Sequence, residues 1–351
     1  DPEQALLYSD STFLELMQLP VLPDDGWIEK LPFSHHIIRY LQNRATIESR
    51  LYKKNGKTRQ LHNLLQLADA YGIYLQKSLP ALRTQASLLK LATQHKSIYN
   101  TAIEACWELH QKEPAEKFAE KAFEFSERSR ALLLRLAANN IMVDASRTSK
   151  SAADEKDLNW RKQISSLNTR YLDADSRNDS LLTLLTAAME GYYRFRDSML
   201  QSGNSNAKLK YDLQPLGIQT IRSQMLHKGQ TLLQYAVTDT AVFVFVLNSK
   251  GFHMHCLRKQ GLDDVAALKE LYNLSATAFS GPAYRLYRHL IQPVEHHFIS
   301  DQLIVVPDAE LYYLNFELLV SDNNATQFNR MNFLIRRYNI AYQLSATHVA
   351  L

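Results

Sequence analysis

The residues that could do chemistry in this chain are histidines, two cysteines and one knot of charge. The densest group is Phe252-His-Met-His-Cys-Leu257, where a thiol beside imidazoles suggests a thiolate–imidazole pair or a set of metal ligands. On a strand, alternate residues share a face, so His253 and His255 point one way and Cys256 the other. That keeps the thiol from both rings, whereas a nucleophile and its base need hydrogen-bond reach; the stretch reads as an ordinary edge or solvent-facing strand. His296-His297 closes a helix after Pro-Val-Glu. Adjacent helical positions diverge by about 100°, so a shared metal is not expected, and contact with the last helical carbonyls is the plainer account. His35-His36 has no Cys or carboxylate nearby and is assigned to the surface. Cys106 falls on the apolar face of a helical stretch and reads as a small core residue. Glu127, Arg128 and Arg130 could form a partner-docking patch, although solvated helix charge is the expected role. The chain has no Gly-rich phosphate loop, His-Glu-x-x-His helix or Cys-x-x-Cys pair. No metal, no cofactor and no catalytic residue is therefore assigned within it.

The composition agrees with a well-cored globular protein. Of 351 residues, 46% are apolar and 22% charged, which argues against disorder and for two or three domains. Gly and Pro number only 10 each, as expected of long helices with few tight turns. The formal charge of +4 is modest and no block of five basic residues occurs. A basic helical repeat for nucleic acid is also opposed by the acids interleaved through residues 113–130. Two distant cysteines exclude a disulfide framework and suit a reducing compartment, so a cytoplasmic location is expected. No run of 18 apolar residues is present, so no membrane span is expected. The chain begins with Asp1 rather than Met, which implies a trimmed amino end.

The elements that must position these residues change character along the chain. From about Ser34 to Leu200 the pattern is helical. Leu88, Leu91, Ala92, His95, Ile98, Tyr99, Ala102, Cys106 and Leu109 recur on one face of Gln85–His110. A second helix is predicted over Glu113–Ala137, with Pro114 in its first turn. The short Gln111-Lys112-Glu113 link would fold the two into an antiparallel hairpin. Asp144–Asp157 is polar and reads as a mobile loop. A further hairpin follows, Leu158 to about Leu172 and Ser180–Leu200. Gln201-Ser-Gly-Asn-Ser-Asn206 marks the domain boundary. Beyond it the period becomes strand-like: Thr231–Val237 and Ala241–Leu247 around Thr238-Asp-Thr240, then Phe252–Leu257. Helical segments at Asp263–Phe279 and Pro282–Gln292 bring the chain back to a strand at Gln302–Val306, parallel to its neighbour. The run Ala241–Leu247 is apolar on both faces and is therefore buried on both.

A more specific signal lies in Gln302-Leu-Ile-Val-Val-Pro-Asp-Ala-Glu-Leu-Tyr-Tyr-Leu-Asn-Phe-Glu-Leu-Leu-Val320, followed by Tyr338-Asn-Ile-Ala-Tyr-Gln-Leu-Ser345. This pattern resembles the front half of a CHAT domain, the caspase-like and separase-like module that bacteria attach to tetratricopeptide helices. Ala122–Leu134, Ala207–Tyr211, Ile218–Met225, Leu232–Tyr235 and Leu286–Pro293 are similar to other segments of that family. The resemblance runs over roughly residues 85–351. Its implied architecture is α plus α/β: a tetratricopeptide-like helical superhelix over 1–206, then the first half of a caspase-like CHAT domain over 207–351. Two departures stand out. Ala309 follows the Pro-Asp where the family usually has Gly, and Asn315 stands where it usually has Pro. Ala strains at φ > 0, so a type I turn is expected at Val306–Ala309.

The resemblance implies the amino-terminal portion of a cysteine endopeptidase, in which a thiolate attacks a peptide carbonyl with an imidazole base. The family's catalytic His and Cys would lie beyond residue 351, and His348 is not equated with that His. The alternative is a non-enzymatic helical adaptor with a degenerate CHAT domain. On either reading a protein or peptide partner is expected on the helices, with Tyr71, Tyr74, Tyr99, Tyr192 and Tyr193 as its anchors. The apolar sheet is expected to be incomplete, and a second polypeptide is one way to complete it.

Overall fold

The computed structural model describes residues 1–16, 35–78, 85–114, 116–130, 152–174, 178–202, 215–226, 229–259, 261–269 and 275–347. The chain divides into two compact units, Asp1–Leu109 with Ala131–Gln214, and His110–Arg130 with Pro215–Leu351. In chain order the principal helices are α1 (Pro2–Leu16), α2 (His35–Asn55), α3 (Thr58–Ser78), α4 (Gln85–Lys112) and α5 (residues 118–130). They continue as α6 (Ala152–Leu172), α7 (Asp179–Gln201), α8 (Asp263–Lys269) and α9 (Ala276–Leu290).

The first unit is built from helix pairs. In α2, Ile37, Ile38, Leu41, Ala45 and Leu51 recur at helical spacing and are buried. Gly56, at φ +69, stops that helix, its N–H bonding the Tyr52 carbonyl at 2.7 Å, as a left-handed glycine does at a helix end. Two residues later α3 begins, and its buried Leu61, Leu64, Leu65, Ala68 and Tyr71 complete a hairpin. Helix α1 docks on α2 through Asp10, which accepts a hydrogen bond from Tyr40 (2.9 Å) and pairs with Arg44. Helices α6 and α7 form a second hairpin around Ile164, Leu167, Leu185, Ala188, Tyr192 and Phe195. Asn178 caps α7, its side chain accepting the Leu181 N–H at 3.0 Å.

Part of the expected polar loop Asp144–Asp157 is helix. Helix α6 starts at Ala152, with Asp154 and Glu155 in the first turn where the positive helix end favours acids. Residues 144–151 lie outside the described residues, as do 203–206 at the expected domain boundary.

The second unit is a five-stranded mixed sheet of order β3-β2-β1-β4-β5. Its strands are β1 (Thr231–Val237), β2 (Ala241–Asn248), β3 (Gly251–Arg258), β4 (Gln302–Val306) and β5 (Asn339–Tyr342). The first three form an antiparallel meander, while β4 lies parallel to both β1 and β5. Thr238 closes the first hairpin, its N–H on the Ala241 carbonyl and its hydroxyl accepting the Ala241 N–H. Every residue of β1 and β2 is buried. Complete burial of large aliphatic side chains contributes about 1.5–3 kcal/mol each, which makes these two strands the stable centre of the unit. One face, with Leu233, Tyr235, Val242, Val244, Val246, Leu303 and Val305, packs against Val265, Phe279, Leu286 and Leu290 of α8 and α9. On the other, Phe123 of α5 meets Phe245 and Phe252 edge-on at 5.6 and 5.8 Å.

Helix α5 thus belongs with the sheet. It starts at Phe118, and Pro114 stands in the turn before it rather than in its first turn. The predicted end of this helix, residues 131–137, lies outside the described residues. A second difference concerns Pro282, where a helix start was expected. Helix α9 runs through it from Ala276, capped by Ser275 accepting the Ala278 N–H. The ring removes one helical hydrogen bond, and burial of Phe279, Ala283, Leu286 and Leu290 holds the helix across that gap.

Candidate functional site

The parallel strands β1, β4 and β5 end on the same edge of the sheet, where open α/β sheets place their binding crevices. Strand β4 runs into Pro307 and Asp308. The Asp308 carboxylate is buried and accepts the N–H of Val237, the last residue of β1, at 2.8 Å. The backbone here corrects the sequence expectation: Asp308, the third residue of the expected type I turn, is extended (φ −144, ψ 149), and Ala309 after it adopts φ +50. An L-residue in that region costs about 1–2 kcal/mol. The surroundings impose it, because Asp308 is tied to β1 and the following turn buries Leu311, Leu314 and Phe316 in the core.

Helix α5 supplies the other half of this edge. Arg130 donates to the Ser126 carbonyl (3.1 Å) and hydroxyl (2.6 Å), to the Tyr235 carbonyl, and to the Pro307 carbonyl at 3.4 Å. Ser126 in turn accepts from the Gln234 amide at 3.0 Å. Glu127 receives the N–H groups of Ala346 (3.2 Å) and Thr347 (2.9 Å) and the Thr347 hydroxyl (2.7 Å). Glu127 and Arg130 are therefore buried organisers of the edge rather than the solvated charge expected from the sequence. Arg128 turns away to Glu124 and the Phe125 ring. The cause is topological: α5 lies on the sheet, so one of its faces meets the strand ends. Arg130 Nε and Gln234 Oε1 are buried there without a hydrogen-bond partner, and such atoms cost about 1–3 kcal/mol each unless a partner arrives. This edge can hold loops and carbonyl groups in place. Among the described residues forming it there is neither Cys nor His; its buried Asp308, Glu127 and Arg130 tie strand ends and loops together.

The histidines are placed differently from the sequence reading. As expected, His253 and His255 share one face of β3, and Cys256 lies on the other. The surprise is that His296 and His297, in a tight turn at Glu295–His297, come to the same place. His297 Nε2 is 2.9 Å from His255 Nε2, and its ring stacks on His253 at 3.8 Å and 14°. The His296 ring is 3.9 Å from that of His297. Parallel stacked rings direct their lone pairs along separate planes, and no group of three such side chains is placed to hold a metal ion among the described residues. Neighbouring helical residues would diverge, as the sequence reading assumed; the tight turn lets both rings face β3. Of the remaining candidates, Cys106 is buried in α4 and His36 is exposed on α2. The His35 side chain and His348 lie outside the described residues.

The five tyrosines expected to anchor a partner are mainly core residues. Tyr71, Tyr74, Tyr99 and Tyr192 are buried and Tyr193 half-buried. Tyr71 and Tyr99 meet edge-on at 5.8 Å, and Tyr192 donates to Asp157 at 3.3 Å. Burial pushes the phenols of Tyr71 and Tyr193 up. Their spacing placed them on the apolar stripes of their helices, which is where core residues belong.

Comparison with known proteins agrees with this unit. The CHAT domain family matches residues 280–350, from the body of α9 through β4, the Pro-Asp turn and β5. The resemblance read from the motifs is thereby supported over that stretch; residues 85–279, to which the motifs extended it, are outside the match. No curated protein matches the chain.

Proposed function

We propose that the second unit is the positioning half of a caspase-like cysteine peptidase site, and that the tetratricopeptide-like first unit receives a protein or peptide partner. The observation that carries the first part is the convergence of Asp308, Arg130 and Glu127 on the carboxyl ends of β1 and β4 and the segment after β5. These groups tie the strand ends and loops into one rigid edge, and rigid placement is what a thiolate and its imidazole base need. The thiol and imidazole themselves would come from polypeptide outside this sequence. Strand β5, short and exposed, offers the sheet edge on which such polypeptide would add.

For the partner, the burial of the tyrosines redirects attention to a groove of about 630 Å³ between α1 and α2. Among the described residues that line it are Tyr8, His36, Arg39, Tyr40 and Arg50, and none of them is a carboxylate. That charge suits an acidic peptide segment.

The test is to express the complete reading frame containing this sequence and label it with a peptidyl acyloxymethyl ketone. Labelling of a cysteine other than Cys106 and Cys256, with activity lowered by Asp308→Asn, supports the peptidase reading. Peptidase activity that disappears on Cys256→Ser overturns the site assignment. A full-length protein without any reactive cysteine leaves the adaptor reading in its place.

A further inference from the structure

Strand β3 is an outer strand, hydrogen-bonded on one side to β2. Its neighbours across the register, Val244 opposite His255 and Val246 opposite His253, are buried and apolar. On the same face the Glu295–His297 turn meets β3 through the imidazole contacts, and Asn248 Nδ2, at the end of β2, donates to the His297 carbonyl at 2.9 Å. The carboxylate of that turn does not serve the cluster. Glu295 accepts from Tyr287 (2.6 Å) and Tyr338 (2.7 Å) and pairs with Arg337 at 2.8 Å. Lys250, before β3, and Arg258, at its end, add only positive charge. We propose that His253, His255, His296 and His297 form an acid-sensitive clasp that fastens outer strand β3 to the turn entering β4.

The chemistry follows from the 2.9 Å contact between His255 and His297. In the neutral pair one ring donates its Nε2–H and the other accepts through its Nε2 lone pair. A first proton, taken by Nδ1 of the donor ring, leaves that bond in place. A second proton occupies the accepting lone pair, ends the bond and sets two cations against each other, with stacked His253 and nearby His296 adding to the repulsion. Burial, and then the neighbouring imidazoles, lower His253, His255 and His297, the last to about 4. The unfolded chain titrates near 6.5. Between these values the unfolded chain binds more protons than the folded one. The clasp is therefore whole above about pH 6.5 and weakens as the pH falls toward 4.

The experiment follows amide hydrogen exchange and histidine ring signals of the full chain from pH 8 to 4, corrected for the intrinsic pH dependence of exchange. Below pH 6.5 the protected amides of β3 should lose protection about tenfold or more relative to those of β1. The His297 ring should titrate well below the ordinary imidazole value of about 6.5. In His255→Gln/His297→Gln the extra loss in β3 should vanish while β1 is unchanged. Rings that all titrate near 6.5, a constant ratio of β3 to β1 protection, or a double variant with the wild-type response would each overturn the proposal. The ring titrations decide the matter in the native protein even where the variant folds poorly.

Discussion

Glu127 and Thr347, 220 positions apart, are joined by two hydrogen bonds: the Thr347 N–H and hydroxyl both donate to one carboxylate oxygen, at 2.9 and 2.7 Å. The other oxygen takes the Ala346 N–H. A helix that precedes the sheet by a hundred residues thus holds the segment that follows its last described strand, and the edge behind β1, β4 and β5 is closed by that contact.

This clamp predicts the effect of Glu127→Gln. The variant keeps one acceptor but turns an NH₂ toward backbone donors, losing charge-assisted bonds of about 1.5–3 kcal/mol. Exchange at Ala346 and Thr347 should accelerate, with little change in α2 or α3. The chain's three tryptophans, Trp27, Trp107 and Trp160, all fall in the residue ranges of the first unit, so intrinsic fluorescence is a poor reporter and hydrogen exchange is the measurement of choice. Unaltered protection at both amides would contradict the assignment.

Arg130→Met keeps most of the aliphatic bulk and removes the donors to the Tyr235 and Pro307 carbonyls. Two buried acceptors then lose a partner, and about 2–4 kcal/mol of stability should be lost in the second unit. Arg130→Lys should recover only part, since an ammonium cannot reproduce the planar fork. Urea unfolding followed by exchange of β1 and β4 amides measures both.

At Ala309 the expected sign is opposite. Its φ of +50 is a conformation glycine adopts without the Cβ penalty, so Ala309→Gly should stabilise the second unit by about 0.5–1 kcal/mol after glycine's greater unfolded-state entropy is deducted. The readout is a higher urea midpoint at constant slope. A lower midpoint would show that the left-handed geometry carries no strain.

Gly191 illustrates packing against propensity. In a helix interior, Gly→Ala ordinarily gains up to about 1 kcal/mol. Here a Cβ would lie 2.5 Å from the Trp160 ring, which is packed into the α6–α7 core. Overpacking costs typically 1–3 kcal/mol, so Gly191→Ala should lower the thermal midpoint. With Trp160→Leu as background the same substitution should raise it relative to that background.

Much of this architecture was legible in the chain. Periodicity alone located the strands at 231–237, 241–247, 252–257 and 302–306 to within a residue, because a buried strand needs an unbroken apolar run and its turns need Thr, Asn and Gly. The helical character of about Ser34–Leu200 was visible from apolar residues at three- and four-residue steps, although α6 begins at Ala152 within the stretch read as a loop, and the Pro-Asp segment carried a family resemblance that the match over residues 280–350 supports. What lay beyond reach was every relation across the fold. Glu127 and Arg130 look like ordinary surface charge on a helix, and nothing local says that a sheet will cover them. His253 and His255 look separate from His296 and His297 until the crossover of α8 and α9 returns the chain to β3. Ala309 looks unsuited to a left-handed turn until Asp308 is tied to β1. Local sequence determines which backbone shape is favourable segment by segment. Which side chains then meet depends on how those segments pack, and burial and pairing between distant residues outweigh local preference wherever the two conflict.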